Sequence, residues 1–154
     1  MDLILWRHAE AELQREGLDD LQRALTTKGE RQAHKMAQWL NHRLAATTRV
    51  LVSPAERCRQ TAAALGRELR IVPALAPEAQ PQALLTAARW PRSAEPVLIV
   101  GHQPTLGLLA AQLLCGAEQP WAIKKGAVWW LRSRQRESEE MEVILQAVQA
   151  PDCL

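Results

Sequence analysis

Apolar residues fall along the chain in three short runs, and each run stops at polar residues able to do chemistry. Leu3-Ile4-Leu5-Trp6 gives way to Arg7-His8, Val50-Leu51-Val52 to Ser53-Pro54 and then Arg57, and Val97-Leu98-Ile99-Val100 to Gly101-His102. Short runs of β-branched and leucine residues bounded by polar ones predict buried strands. The run 97–100 is apolar at every position, as expected of a central parallel strand covered on both faces. Between the runs, apolar positions recur at helical spacing. Ala33, Met36, Ala37, Leu40 and Leu44 follow a capping box at Thr27-Lys28-Gly29-Glu30. Ala55, Cys58, Ala62, Leu65 and Leu69 follow a second box, Ser53-Pro54-Ala55-Glu56, with proline at the first helical position. Leu106, Leu109, Ala110 and Leu113 follow Pro104, and Gly116 supplies the stop.

The remaining segments complete the plan. A short strand at 70–72, a proline-spaced stretch (Pro73, Pro77, Pro81) and a helix reaching about Trp90 separate the second and third runs. Two last strands, at 127–131 and 142–145, flank the charged stretch 132–140 and predict an antiparallel hairpin with a solvated loop. Residues 9–25 are polar and irregular, suiting a loop that lies over the strand ends. Strands alternating with helices predict an α/β protein. The expectation is a single-domain three-layer α/β/α sandwich over residues 1–154, its central sheet mostly parallel with an antiparallel C-terminal strand.

Composition narrows the options without choosing among them. A chain of 154 residues, 47% hydrophobic, suits one domain with a full core. No stretch approaches the ~20 apolar residues of a membrane span. Asp2 follows Met1 and the first apolar run holds four residues, so no secretory leader is expected, and a cytoplasmic monomer is the working picture. A net charge of +2 does not point to a nucleic-acid partner. Cys58, Cys115 and Cys153 form no CxxC pair and read as free thiols. Tyrosine and phenylalanine are absent and tryptophan occurs six times, a bias without a physical account.

Ligands of open α/β sheets bind beyond the carboxyl ends of the strands. Three strands would therefore bring two histidines and two arginines to one edge. A phosphoryl group spreads its charge over three oxygens and needs forked donors held in place, which arginine supplies bidentately. Arg7 and Arg57 suit that role, and the N–H groups at the start of a helix carrying Arg57 would also favour an anion. A neutral histidine accepts a phosphoryl group on a ring nitrogen and passes it to water. His8, next to Arg7, is the candidate nucleophile. His102 would hydrogen-bond the phosphoryl oxygens as charge develops on them. Two histidines without a third ligand, facing arginine charge, argue against a metal centre. No GxxxxGK[ST] loop, GxGxxG turn or GxSxG elbow occurs. No Asp-x-Asp pair occurs either, and Ala64 stands where a cysteine phosphatase built on Cys58 would need arginine. His34 and His42 lie off the apolar face of their helix and read as solvated. Lys124-Lys125 reads as a charged turn able to meet an acidic partner. Trp129-Trp130 alternates across a strand, predicting one ring in the core and one more exposed.

Arg7-His8-Ala9, Leu25-Thr26-Thr27-Lys28-Gly29, Ser53-Pro54-Ala55-Glu56-Arg57 and Gly101-His102-Gln103-Pro104 resemble, in order, the histidine phosphatase (phosphoglycerate mutase-like) superfamily. The short chain and the stretch Arg23 to Gly29 resemble its SixA-type phosphohistidine phosphatase branch. The resemblance implies that His8 is transiently phosphorylated and that Arg7, Arg57 and His102 complete the pocket. It adds Arg23 as a phosphate-binding residue and implies action, without cofactor or metal, on phosphohistidine of signalling proteins such as phosphotransfer domains. A small phosphorylated metabolite is the alternative substrate, and a non-catalytic phosphate-reading module the alternative class. Two departures stand out. Ala9 replaces the usual glycine, as is common in the SixA-like branch. The proton-donating glutamate of many members has no clear counterpart: Glu78 lies in about the right segment, Glu10 and Glu12 are rivals, or there is none. An imidazole leaving group needs a dedicated acid less than an alkoxide does, so the missing acid favours phosphohistidine substrates.

Overall fold

A computed structural model describes residues 1–154. Six strands form one sheet in the order β3-β2-β4-β1-β5-β6: β1 (Asp2–Arg7), β2 (Arg49–Val52), β3 (Arg70–Ile71), β4 (Val97–Gly101), β5 (Val128–Gln135) and β6 (Met141–Gln149). The first four run parallel, and β5 and β6 are antiparallel additions beside β1. This is the predicted sheet. β4 is central and buried at all five positions, flanked by β1 and β2.

Alternation along the strands divides the core in two. Ile4, Trp6, Val50, Val52, Leu98 and Val100 face one way, against Met36, Ala37 and Leu40 of α1 (Thr27–Asn41) and Cys58 and Ala62 of α2 (Glu56–Ala63). Leu3, Leu5, Leu51, Val97 and Ile99 face the other way, against α3 (Pro81–Ala88) and α4 (Thr105–Cys115), which contribute Leu84, Ala88, Leu106 and Leu109. Each inward strand residue is removed from water on its own side, at ~25 cal/mol per Å² of apolar surface. The result is an α/β/α sandwich. β1 sends the chain to α1 on one face and its neighbour β4 sends it to α4 on the other, so a crevice opens between their carboxyl ends.

Several boundaries differ from expectation, each for a local reason. α1 is capped by Thr26, whose hydroxyl accepts from Gly29 N at 3.0 Å, one residue before the predicted Thr27. The Ser53 box does not cap α2. Ala55 is the N-cap, without a side-chain bond, and the Ser53 hydroxyl is engaged elsewhere. α2 also ends at Ala63, short of Leu69, because Gly66 takes a left-handed φ of +66° and turns the chain. The final hairpin is longer than predicted and takes in much of the stretch expected to be loop. Arg132 and Arg134 occupy alternate positions of β5, where charged residues stand on the solvated side of the ladder, and Arg132 pairs with Asp2 at 2.6 Å. Trp130 is buried and Trp129 half-buried, as the alternation predicts, and each stacks near a second tryptophan, Trp39 and Trp121 respectively. No helix is long and apolar enough to cross a membrane.

Candidate active site

The parallel register lines up the strand ends. Arg7 pairs with Gly101 across β1 and β4, and Val52 pairs with Val100 across β2 and β4. His8, Ser53 and His102, each one residue beyond its strand, therefore lie along one edge. The rings of His8 and His102 are 5.4 Å apart, tilted by 60°. His8 backbone N–H donates to Gly101 O at 3.2 Å, and Gly126 N–H donates to His8 O at 3.1 Å. The nucleophile candidate is thus stitched between β4 and the segment before β5.

Hydrogen bonds assign the tautomers. His8 Nδ1 lies 2.8 Å from Ala9 O. A carbonyl oxygen only accepts, so Nδ1 carries the proton and Nε2 holds the free lone pair. His102 is wired the other way. Its Nδ1 faces Nη2 of Arg57 at 3.4 Å, a donor, so the proton sits on Nε2 and is donated to the Ser53 hydroxyl at 2.7 Å. Ser53 also accepts from Ala55 N at 3.2 Å, which holds it in place. Ser53 thus positions His102 rather than capping α2, and only its place directly after β2 hinted at this.

Both rings are buried, with 8% and 6% of their surface exposed. Burial, followed by the nearby charge of Arg57, pushes the His8 pKa down to about 4, although the Ala9 contact opposes this; Arg7 and Arg23 push the same way. Burial, then Arg57 and His8, takes His102 down to about 3. Both imidazoles are neutral at neutral pH. The Cys58 thiol behind His102, 3.5 Å from Nε2, is pushed up to about 12 by burial and stays protonated.

Arg57, the second residue of α2, is 3% exposed. Its Nη1 donates to Asp20 O at 2.8 Å and its Nη2 to Asp20 Oδ2 at 3.1 Å. Arg7 Nη1 donates to Ile123 O at 2.7 Å. The Nε atoms of both arginines are buried without an acceptor in the protein. A buried unpaired donor costs ~1–3 kcal/mol, and an anion with several oxygens is the class of ligand that supplies acceptors. Arg23 bonds Asp20 Oδ1 at 2.9 Å and Glu12 O at 2.7 Å, placing it on the rim. No group of three or more histidine, cysteine, aspartate or glutamate side chains is gathered to hold a metal ion.

Asp20 carries no motif and escapes sequence reasoning. It sits in a short 3-10 turn (Asp20–Gln22) of the 9–25 loop, whose ends are tied by an Ala11–Leu25 bridge, so the loop does lie over the strand ends. Desolvation pushes its carboxyl up, but hydrogen bonds and charge from Arg23 and Arg57 outweigh that and hold it below the usual carboxylate range. The acid candidates stand differently. Glu10 accepts from Thr26 Oγ1 at 2.8 Å, Glu12 is exposed, and Glu78 is exposed between residues that line a small cavity against His102. Ala9 is fully buried beside Leu25 and Ala33, with its N–H on Thr61 Oγ1 at 3.0 Å, so its methyl packs where glycine would leave space.

The comparisons with known proteins agree with this geometry. The model of the histidine phosphatase superfamily (branch 1) matches residues 3–81. A Picosynechococcus protein of uncharacterized function is 35% identical over 141 residues, covering 86% of each chain. The phosphohistidine phosphatase SixA of Escherichia coli is 33% identical over 141 residues, covering 83% of each. The structure of the protein histidine phosphatase SixA complexed with tungstate superposes with a TM-score of 0.77 at 27% identity, covering 99% of both chains. The chain belongs to the histidine phosphatase superfamily, in the SixA branch.

Proposed function

We propose that the protein is a phosphohistidine phosphatase that works through a covalent phosphohistidine on His8. One observation carries the reading: the lone pair of a neutral, buried His8 is left on Nε2 beside His102 and the Arg57 guanidinium. In the first step Nε2 attacks phosphorus, and the P–N bond to the substrate imidazole breaks. The departing nitrogen keeps the electron pair, and the substrate ring, already protonated on its other nitrogen, leaves as a neutral imidazole. The phosphorylated His8 ring is cationic, and the Ala9 carbonyl on Nδ1–H stabilises it. In the second step water attacks phosphorus, the P–Nε2 bond breaks, and its electron pair returns to His8. One water proton stays on the oxygen that joins phosphorus, and the other passes to a second phosphate oxygen or to solvent as inorganic phosphate leaves.

Arg7, Arg57 and Arg23 hold the phosphoryl oxygens in this reading. With the phosphoryl group bound, His102 takes the other tautomer: the Ser53 hydroxyl donates to Nε2, and Nδ1–H donates to an oxygen as charge develops on it. Guanidinium groups supply the positive charge, so the mechanism runs without a metal ion. Residues 1–154 act as one histidine phosphatase domain, a cytoplasmic monomer whose substrate is phosphohistidine on a partner protein. The relative named a phosphohistidine phosphatase supports that substrate class.

The test is labelling with a radioactive phosphoryl donor, followed by peptide mapping. The expected label is acid-labile, base-stable and confined to His8. It is lost in His8→Ala, and turnover falls ~10²-fold or more in Arg57→Ala. A His8→Ala variant that keeps its activity removes the nucleophile assignment. Faster turnover of sugar phosphates or phosphoglycerates than of phosphohistidine moves the substrate to the small-metabolite class.

A further inference from the structure

The chain has only four lysines, Lys28, Lys35, Lys124 and Lys125, against fifteen arginines. Three of them lie at one groove, and the fourth, Lys125, follows Lys124 in sequence. Lys28, Arg31, Gln32 and Lys35 form a single stripe along α1 at helical spacing. With Pro151 and Asp152 of the C-terminal turn they line a groove of about 200 Å³. Lys124 Nζ meets Asp152 at 2.9 Å. Lys125 precedes Gly126, which packs against both Pro151 and Gln32.

Every ion pair apart from Lys124–Asp152 uses arginine, and Lys28, Arg31, Lys35 and Lys125 have no acidic partner. Asp152 is the one acid lining the groove, and Lys124 already neutralises it. Three exposed, unpaired cations, Lys28, Arg31 and Lys35, therefore line it. Lysine suits such a surface because its ammonium is a mobile, strongly hydrated point charge.

The groove adjoins the catalytic edge through direct bonds. Gln32 Oε1 accepts from Glu10 N at 3.0 Å, two residues after His8. Ile123 O receives Arg7 and Gly126 N–H holds His8 O, with the two lysines between them in sequence. A macromolecule presenting its phosphoryl group to His8 would overhang this platform, whereas a free small molecule would not.

We propose that Lys28, Arg31 and Lys35 form a docking platform for the acidic surface of the protein that carries the phosphohistidine. The inference rests on the phosphatase reading above and extends it from the reacting group to the partner. Charge of one sign around a site raises association rates by ~10–10³-fold and loses that advantage in salt.

The experiment compares two triple variants that each remove three positive charges, Lys28→Gln/Arg31→Gln/Lys35→Gln on the platform and Arg70→Gln/Arg89→Gln/Arg92→Gln away from it. The substrates are free phosphohistidine and a histidine-phosphorylated phosphotransfer domain of net negative charge. The platform variant should lose about ten-fold or more in kcat/KM on the phosphodomain at low ionic strength. It should keep parental turnover of free phosphohistidine, and the deficit should close in 0.5 M salt by screening over a ~3–10 Å Debye length. The control triple should match the parent on both substrates. Equal losses in the two triples, no loss in either, or an equal loss on the free amino acid would each overturn the platform and leave the phosphatase reading standing. A parent enzyme that hydrolyses neither substrate overturns the reading itself.

Discussion

Asp20 offers a sharp test of how the pocket is balanced. Its carboxylate accepts from both Arg57 and Arg23, the guanidinium groups assigned here to the phosphoryl oxygens. An arriving phosphate must share Arg57 Nη2, which lies 3.1 Å from the carboxylate, so the two anions would stand ~4 Å apart. Unit charges at that distance repel by ~1 kcal/mol in water and ~4 kcal/mol at an effective dielectric of 20. The side chain is 46% exposed, so the lower figure applies. A phosphate near two negative charges doubles the repulsion, and pairing of the carboxylate with Arg23 returns part of it. About 1–1.4 kcal/mol remains, a factor of five to ten. Asp20→Asn removes the charge and keeps the side-chain oxygen, and the backbone carbonyl continues to hold Arg57 Nη1 at 2.8 Å. Inorganic phosphate should therefore bind this variant five- to ten-fold more tightly by titration calorimetry, and inhibit it correspondingly better. The advantage should shrink in 1 M salt. Unchanged or weaker phosphate binding refutes the idea that Asp20 is an internal competitor for the arginines.

Three further outcomes follow from the same contacts. Ser53→Ala leaves the buried His102 Nε2–H without its acceptor, at a cost of ~1–3 kcal/mol, and should lower kcat ten- to hundred-fold with smaller change in KM; wild-type kcat would show that Ser53 does not position the ring. His8 and His102 have folded pKa values of about 4 and 3, below the ~6.5 of the unfolded chain, so the unfolded state binds more protons in acid. Their contribution to stability is complete above pH 6.5 and falls by ~1.4 kcal/mol per pH unit per ring as pH drops toward 5, a loss that His8→Asn should roughly halve in denaturant titrations; a flat profile over that window contradicts neutral buried rings. Gly107→Ala drives a methyl into the backbone carbonyl of Trp121 and should lower stability by ~1–3 kcal/mol or more, whereas Gly101→Ala meets Leu106 only at ordinary contact distance and should melt close to wild type.

The strands and most of the pocket were legible in the sequence because both follow local rules. Runs such as 97–100 are apolar on both sides, a pattern only a covered central strand satisfies. Residues directly after parallel strands must emerge at one edge, which brings His8 and His102 together whatever the loops do. Boundaries were read less well wherever a side chain served a distant partner. Ser53 resembles a helix cap in sequence, yet its hydroxyl is taken by a ring 49 positions away. Arg132 and Arg134 read as loop by charge, yet strand pairing with β6 and the partner Asp2 make them the outer face of a ladder.

What the tertiary structure alone decided is how the charges are spent. No spacing rule connects Asp20 to Arg57 across 37 positions, or sets Lys28, Lys35 and Lys124 beside the C-terminal turn. Those relations depend on how the 9–25 loop and the C-terminal turn pack, and such contacts are set by the fold as a whole. Periodicity records which side of an element is buried. Which arginine is latched, which ring nitrogen holds its proton and which cations stay free are settled only when distant segments share one low-dielectric space.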